Sequence, residues 1–141
     1  MTLLGATEIR ELAAKLDLNP SKGLGQNFVI DGNVCQRIVR QVSLTPSDVA
    51  LEIGPGLGSL TLAILETGAS LIAVEIDARL AKQLPETVAI HNPDADLLVV
   101  NQDALNLTEL SKPPTVLVAN LPYNVSVPVL LNLLERFPTL R

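Results

Sequence analysis

The chain has 141 residues, enough for one domain, and 48% of them are hydrophobic, which excludes a mainly disordered polypeptide. Every apolar run falls short of the ~20 residues a membrane span needs, and an N-terminus carrying Glu8, Arg10 and Glu11 lacks the basic-then-apolar layout of a signal peptide. The net charge of −5 runs against the basic footprint expected of a nucleic-acid binder. That charge is uneven, however: residues 1–40 carry a net +1 and residues 41–141 a net −6.

Glu8 to Leu18 reads as an amphipathic helix, with Ile9, Leu12, Ala13 and Leu16 on one stripe, broken by Asn19-Pro20-Ser21. A polar loop with Gly23 and Gly25 leads to Phe28. Asp31 is placed to cap a second helix, Asn33 to Gln41, whose Val34, Ile38 and Val42 share a face. Cys35 sits in that pattern as a small core hydrophobe; as the sole cysteine it can form no internal disulfide, which fits a reducing cytoplasm. Lys15, Lys22, Arg37 and Arg40 read as solvated helix faces.

After the turn at Thr45-Pro46-Ser47-Asp48, strands and helices alternate: strand 49–53, helix 58–67 ended by Gly68, strand 71–76, helix 78–84 ended by Pro85, strand 97–101 and strand 115–119. His91, beside Asn92-Pro93, reads as a loop residue. Pro113-Pro114 opens the last strand, where a missing N–H is tolerated. A final helix at about 127–136 carries Pro128 in its first turn and Val129, Leu130, Leu133 and Leu134 on its apolar face. The alternation predicts a parallel sheet wound on both faces. The run Leu97-Leu98-Val99-Val100 fits a strand buried on both sides.

The strand ends carry the chemistry. Between the strand at 49–53 and its helix lies Gly54-Pro55-Gly56-Leu57-Gly58, spaced G-x-G-x-G rather than in the dinucleotide-binding G-x-G-x-x-G pattern. A turn without Cβ atoms lets a ligand approach the backbone; alone, it reads equally as a tight left-handed turn that holds nothing. Glu75 ends the next strand, 21 positions after Gly54, where a ribose diol is held in nucleotide-binding α/β folds. Asp103 follows the third strand. Singly, each acid also reads as a loop charge or a helix cap; as an ordered set they meet at the rim where open α/β sheets bind ligands. Asn120-Leu121-Pro122-Tyr123 ends the fourth strand. Asn120 offers a carbonyl acceptor, Pro122 a free C=O with no N–H beside it, and Tyr123 a stacking face, which together suit a flat base with an exocyclic amine. No Cys/His cluster marks a metal site.

From about Lys22 onward the chain resembles the KsgA-type ribosomal small-subunit RNA adenine N6,N6-dimethyltransferases. The resemblance rests on Gly25-Gln26-Asn27-Phe28-Val29, the stretch from Glu52 to Thr61, Val74-Glu75-Ile76-Asp77, Gln102-Asp103-Ala104 and Asn120-Leu121-Pro122-Tyr123-Asn124, in that order. The Gln-Asn-Phe and Asn-Leu-Pro-Tyr elements are specific to the family. The Gly turn and the acid after the second strand are shared by many S-adenosylmethionine (SAM) enzymes.

The resemblance implies a Rossmann-like class I SAM-dependent methyltransferase fold, truncated after the fourth of seven strands. Residues 1–45 would be an N-terminal helical segment and residues 46–141 the SAM-binding domain. It implies that Gly54 and Gly56 pass under the cofactor, Glu75 takes the ribose hydroxyls, Ile76 packs on the adenine and Asp103 takes its amino group, while Asn27 and Val29 close over it. Asn120, Pro122 and Tyr123 would receive the target adenine, with Asn120 also counted among the cofactor-binding residues. The implied partner is small-subunit ribosomal RNA or a pre-ribosomal subunit, with no membrane and no metal. A 141-residue chain of this kind is expected to be inactive alone, to bind SAM weakly or not at all and to self-associate through an exposed fourth strand. Three rivals stand beside this reading. An NAD-dependent dehydrogenase leaves Asn-Leu-Pro-Tyr unexplained. A non-catalytic RNA-binding or scaffold protein could retain the fold. Methylation of DNA adenine or another amine is opposed by the Gln-Asn-Phe element alone.

Overall fold

The computed structural model describes residues 6–15, 32–107, 109–119, 133–134 and 136–140. Its elements are α1 (Ala6–Lys15), α2 (Gly32–Val42), β1 (Val49–Ile53), α3 (Ser59–Glu66), β2 (Ser70–Glu75), α4 (Ala78–His91), β3 (Leu97–Asn101), a 3-10 turn (Ala104–Asn106) and β4 (Val116–Ala119). All pairings are parallel and the strand order is β3-β2-β1-β4. The order places all four carboxyl ends on one rim.

Alternation along the strands builds two cores. On one face Ala50, Leu71, Ala73, Val116 and Val118 pack against Cys35 and Val39 of α2, Leu60 and Ile64 of α3, and Leu80, Leu84 and Val88 of α4. The face is thick because α3 is buried on nearly every side, from Ser59 to Leu65, between α2 and the sheet. On the other face Leu51, Ile53, Ile72 and Val74 meet Ala104, Leu107, Leu133 and Phe137. At the amino end of the sheet, Thr115 Oγ1 donates to Asp48 Oδ1 (2.8 Å) and accepts from Val49 N (3.0 Å), while Thr115 N donates to Val49 O (2.8 Å). This clasp fixes β4 against β1 in the register Ala50↔Val116 to Ile53↔Ala119.

Three expectations are corrected. Pro85 does not end its helix: α4 continues to His91 with Pro85 inside it. The proline itself lies on the exposed side of the helix, while Leu80, Leu84, Thr87 and Val88 keep a continuous buried stripe that holds the helix together across it. His91 is the last residue of that helix rather than a loop residue, and it is buried, its Nε2 2.7 Å from Glu8 Oε2 of α1. Finally, β3 is an edge strand, with Leu98 44% exposed rather than buried on both sides. Elsewhere the helix expected at 8–18 begins at Ala6, and its residues 16–18 lie outside the described residues, as does Asp31.

Candidate cofactor site at the carboxyl rim

The turn between β1 and α3 has three glycines at positive φ: Gly54 at 71°, Gly56 at 59° and Gly58 at 104°. L side chains rarely adopt that region, so the sequence Gly-x-Gly-x-Gly is what permits this path. Gly58 is the N-cap of α3 and offers no side-chain cap. A Cβ there would stand 2.9 Å from Leu84 Cδ1 of α4. Gly58→Ala is therefore expected to cost about 1–2 kcal/mol through backbone strain and a displaced Leu84, read from the shift in urea midpoint.

Glu75 ties the rim together. Its Oε1 accepts from Gly56 N (3.2 Å) and its Oε2 from Asp77 N (3.0 Å), so one carboxylate joins the glycine turn to the start of α4. Its carbonyl accepts from Gln102 N (3.1 Å) and from Asn101 Nδ2 (2.9 Å), which also reaches Ile76 O (3.2 Å). A carboxylate has about four lone-pair positions, and the Gly56, Asp77 and Ile76 backbone N–H groups leave one for a ligand hydroxyl. Burial pushes the Glu75 carboxyl above the usual carboxylate range, against the opposing pull of the Asp77 and Gly56 N–H groups. Ile76, just past β2, is 54% exposed beside this carboxylate, an apolar surface available to a flat ring. Asp77 caps α4, accepting from Arg79 N (2.8 Å) and Leu80 N (3.4 Å). The Arg79 side chain, bonded to Asp77, holds that carboxyl below its usual value. Asp103 is half-buried at the end of β3, where it caps the 3-10 turn by accepting from Leu105 N (3.0 Å).

Gly54, Gly56, Glu75, Ile76 and Asp103 thus follow three adjacent strands at one rim, and Glu75 bonds directly to Gly56. Asn27, Val29, Asn120, Pro122 and Tyr123 lie outside the described residues; Ala119, which precedes Asn120, is in register with Ile53, which precedes Gly54.

One functional group escaped the sequence reading. Glu52, quoted there only as part of a motif, is fully buried in β1 on the same sheet face as Ala73 and Glu75. Its Oε1 accepts from Thr61 Oγ1 of α3 at 2.6 Å, and its Oε2 has no partner among the described residues. Burial pushes its pKa up to about 8, the Thr61 hydroxyl opposing and the Glu75 charge adding to the shift. The signal was available: an acid inside the apolar run Val-Ala-Leu-Glu-Ile, on the same side as Ala50, cannot face water. Ser59 Oγ, across the turn, is likewise buried with no partner among the described residues. Among the described residues no group of three or more His, Cys, Asp or Glu could hold a metal, and no helix is long and apolar enough to cross a membrane.

Residues 18–140 match the sequence profile of the family described as ribosomal RNA adenine dimethylase. This chain belongs to that family. It is 59% identical over 143 residues to ribosomal RNA small subunit methyltransferase A of Leifsonia xyli subsp. xyli, covering 100% of this chain and 51% of that protein. It is 56% identical over 143 residues to the protein of the same name from Mycobacterium avium, covering 99% and 45%. The chain thus spans about half the length of these relatives. Among solved structures it is similar to the 23S rRNA methyltransferase ErmE, with 34% identity, a TM-score of 0.68 and coverage of 81% of this chain and 45% of that one. It is also similar to a dimethyladenosine transferase from Plasmodium falciparum (26% identity, TM-score 0.67, coverage 79% and 39%). An RNA methyltransferase from Salinibacter ruber bound to S-adenosyl-L-homocysteine, at 20% identity and TM-score 0.68, shares the fold, covering 80% of this chain and 71% of that one. The described sheet and helices therefore have the Rossmann-like class I SAM-dependent methyltransferase fold.

Proposed function

We propose that the protein carrying this chain transfers methyl groups from SAM to adenine N6 in small-subunit ribosomal RNA, two per base. The observation that carries the reading is Glu75: a buried carboxylate with spare acceptor capacity, bonded to the glycine turn, in a member of the adenine dimethylase family. Residues 46–141 would hold the cofactor, through Gly54, Gly56, Glu75, Ile76 and Asp103, and residues 1–45 would bring Asn27 and Val29 over it. Bound SAM supplies a methyl group activated by a positively charged sulfur. The chain supplies placement. Asn120 Oδ1 and the Pro122 carbonyl accept from the two hydrogens of the adenine amine, favouring a pyramidal nitrogen whose lone pair points at the methyl. Tyr123 stacks on the base once it has left its own stack. No general base with a tuned pKa is needed for this chemistry.

Small-subunit RNA, free or in a pre-ribosomal particle, is the partner on this reading. Self-association through β4, which pairs only with β1 among the described residues, belongs to the same reading and is checked by sedimentation at several concentrations. Family membership leaves the dehydrogenase alternative without support. The test is transfer of labelled methyl from SAM to naked ribosomal RNA and to assembled small subunits, followed by nucleoside analysis. The reading expects N6,N6-dimethyladenosine with at least one of these substrates. Cofactor binding without transfer to either would favour a non-catalytic RNA-binding role.

A further inference from the structure

We propose that Glu52 is a positioning residue of the cofactor site, which in its protonated form holds the glycine turn in the shape that binds the cofactor. The proposal rests on the SAM reading of that turn. The turn has two anchors, β1 before it and α3 after it, and the 2.6 Å bond from Thr61 Oγ1 to Glu52 Oε1 joins them directly. Between those anchors Gly56 N is already committed to Glu75. Glu52 and Glu75 lie on the same face of adjacent strands, Glu75 bonded to the turn itself and Glu52 to the helix that follows it.

Among the described residues, the surroundings of Glu52 favour the neutral acid. It is 0% exposed, and its second oxygen has no partner among the described residues. Its in-register neighbours are Ala73 and Val118. The charged groups of the packed elements do not compensate it. Arg37 and Arg40 of α2 and Arg79 and Lys82 of α4 are exposed, and Arg79 pairs with Asp77. His91 is at the far end of α4 with Glu8, and Glu75 is an acid itself. An ionised Glu52 would be a buried charge with one hydrogen bond and an acidic neighbour. Relief requires the carboxylate to move toward water, and that breaks the Thr61 tie and releases the turn.

The consequence is a pH-dependent affinity with a defined sign. The binding-competent form is the protonated one, so affinity falls as pH rises past about 8. Glu52→Gln imitates the neutral acid, keeps an acceptor for Thr61 and removes the titration. The experiment measures the Kd of S-adenosylhomocysteine for full-length protein, wild type and Glu52→Gln, from pH 6 to 9.5. The ligand's own α-ammonium also titrates in the alkaline range and enters both Kd values, so the ratio of the two is the readout. The expected ratio of wild type to variant is constant below pH 7 and rises roughly ten-fold per pH unit above 8. Infrared spectroscopy of the wild type at pH 7 should also show a protonated carboxyl band that disappears above pH 8; this does not depend on a variant folding. A ratio that stays flat to pH 9.5 while both proteins bind, or the absence of that band, overturns the role of Glu52 and leaves the cofactor reading standing. Failure of the wild type to bind at any pH overturns the cofactor reading and this proposal with it.

Discussion

Asn120→Ala in the full-length protein is expected to lower methyl transfer by about 100-fold or more, the scale for removing one acceptor or donor aimed at the charge that develops in a transition state. On the proposed role SAM affinity should change far less, because the acceptor would act on the base and not on the sulfonium. Tyr123 separates two contributions to the proposed handling of the base. Tyr123→Phe should be mild, since stacking uses the ring, and Tyr123→Ala should be severe. Single-turnover transfer rates, measured with SAM saturating and paired with a binding titration of each variant, give the required split. Activity of Asn120→Ala within a factor of two of wild type would remove Asn120 from the chemistry.

The second large effect is on stability and comes from Glu52. Its folded pKa of about 8 lies above the ordinary value of 4.5, so between those limits the folded chain holds a proton that the unfolded chain releases. The contribution of this group to stability is fully present below pH 4.5 and is lost as pH rises through 8. Glutamine at the same position has no such dependence. Between pH 5 and pH 8 the stability of Glu52→Gln relative to wild type should therefore rise by about 4 kcal/mol. Acids remote from Glu52 titrate alike in both proteins and cancel in the difference; Glu75, which is coupled to Glu52, does not cancel fully. Urea unfolding of the two proteins at the two pH values measures it. A difference that does not change with pH would mean that Glu52 is ionised in the fold.

The strands were the most legible part of the sequence. Apolar runs bounded by turn residues place β1 at 49–53 and β3 at 97–101, as observed. The order of the strand ends, and with it the meeting of Gly54, Glu75 and Asp103 at one rim, followed from the alternation of elements. What periodicity does not encode is position within the sheet. Leu98 looks like a central-strand residue until β3 is known to be an edge. Pro85 was misread because it faces solvent in a helix that a continuous buried stripe holds together across it. His91 was misread because its partner, Glu8, is 83 residues away in sequence. At the site, the identity of Glu75 was legible but not its work: the bonds to Gly56 N and Asp77 N depend on how the turn and α4 approach in three dimensions. Glu52 needed one further step, from its place in an alternating strand to the face it must bury.

Calorimetric titration of the full-length protein with SAM and, separately, with NAD, repeated on Glu75→Ala, tests the central claim most directly. Saturable SAM binding, no NAD binding and a loss of roughly 1–3 kcal/mol of SAM affinity in the variant are expected, the range for removing a charged hydrogen-bond acceptor. NAD binding in place of SAM, or unchanged SAM affinity in a folded Glu75→Ala protein, would contradict that claim.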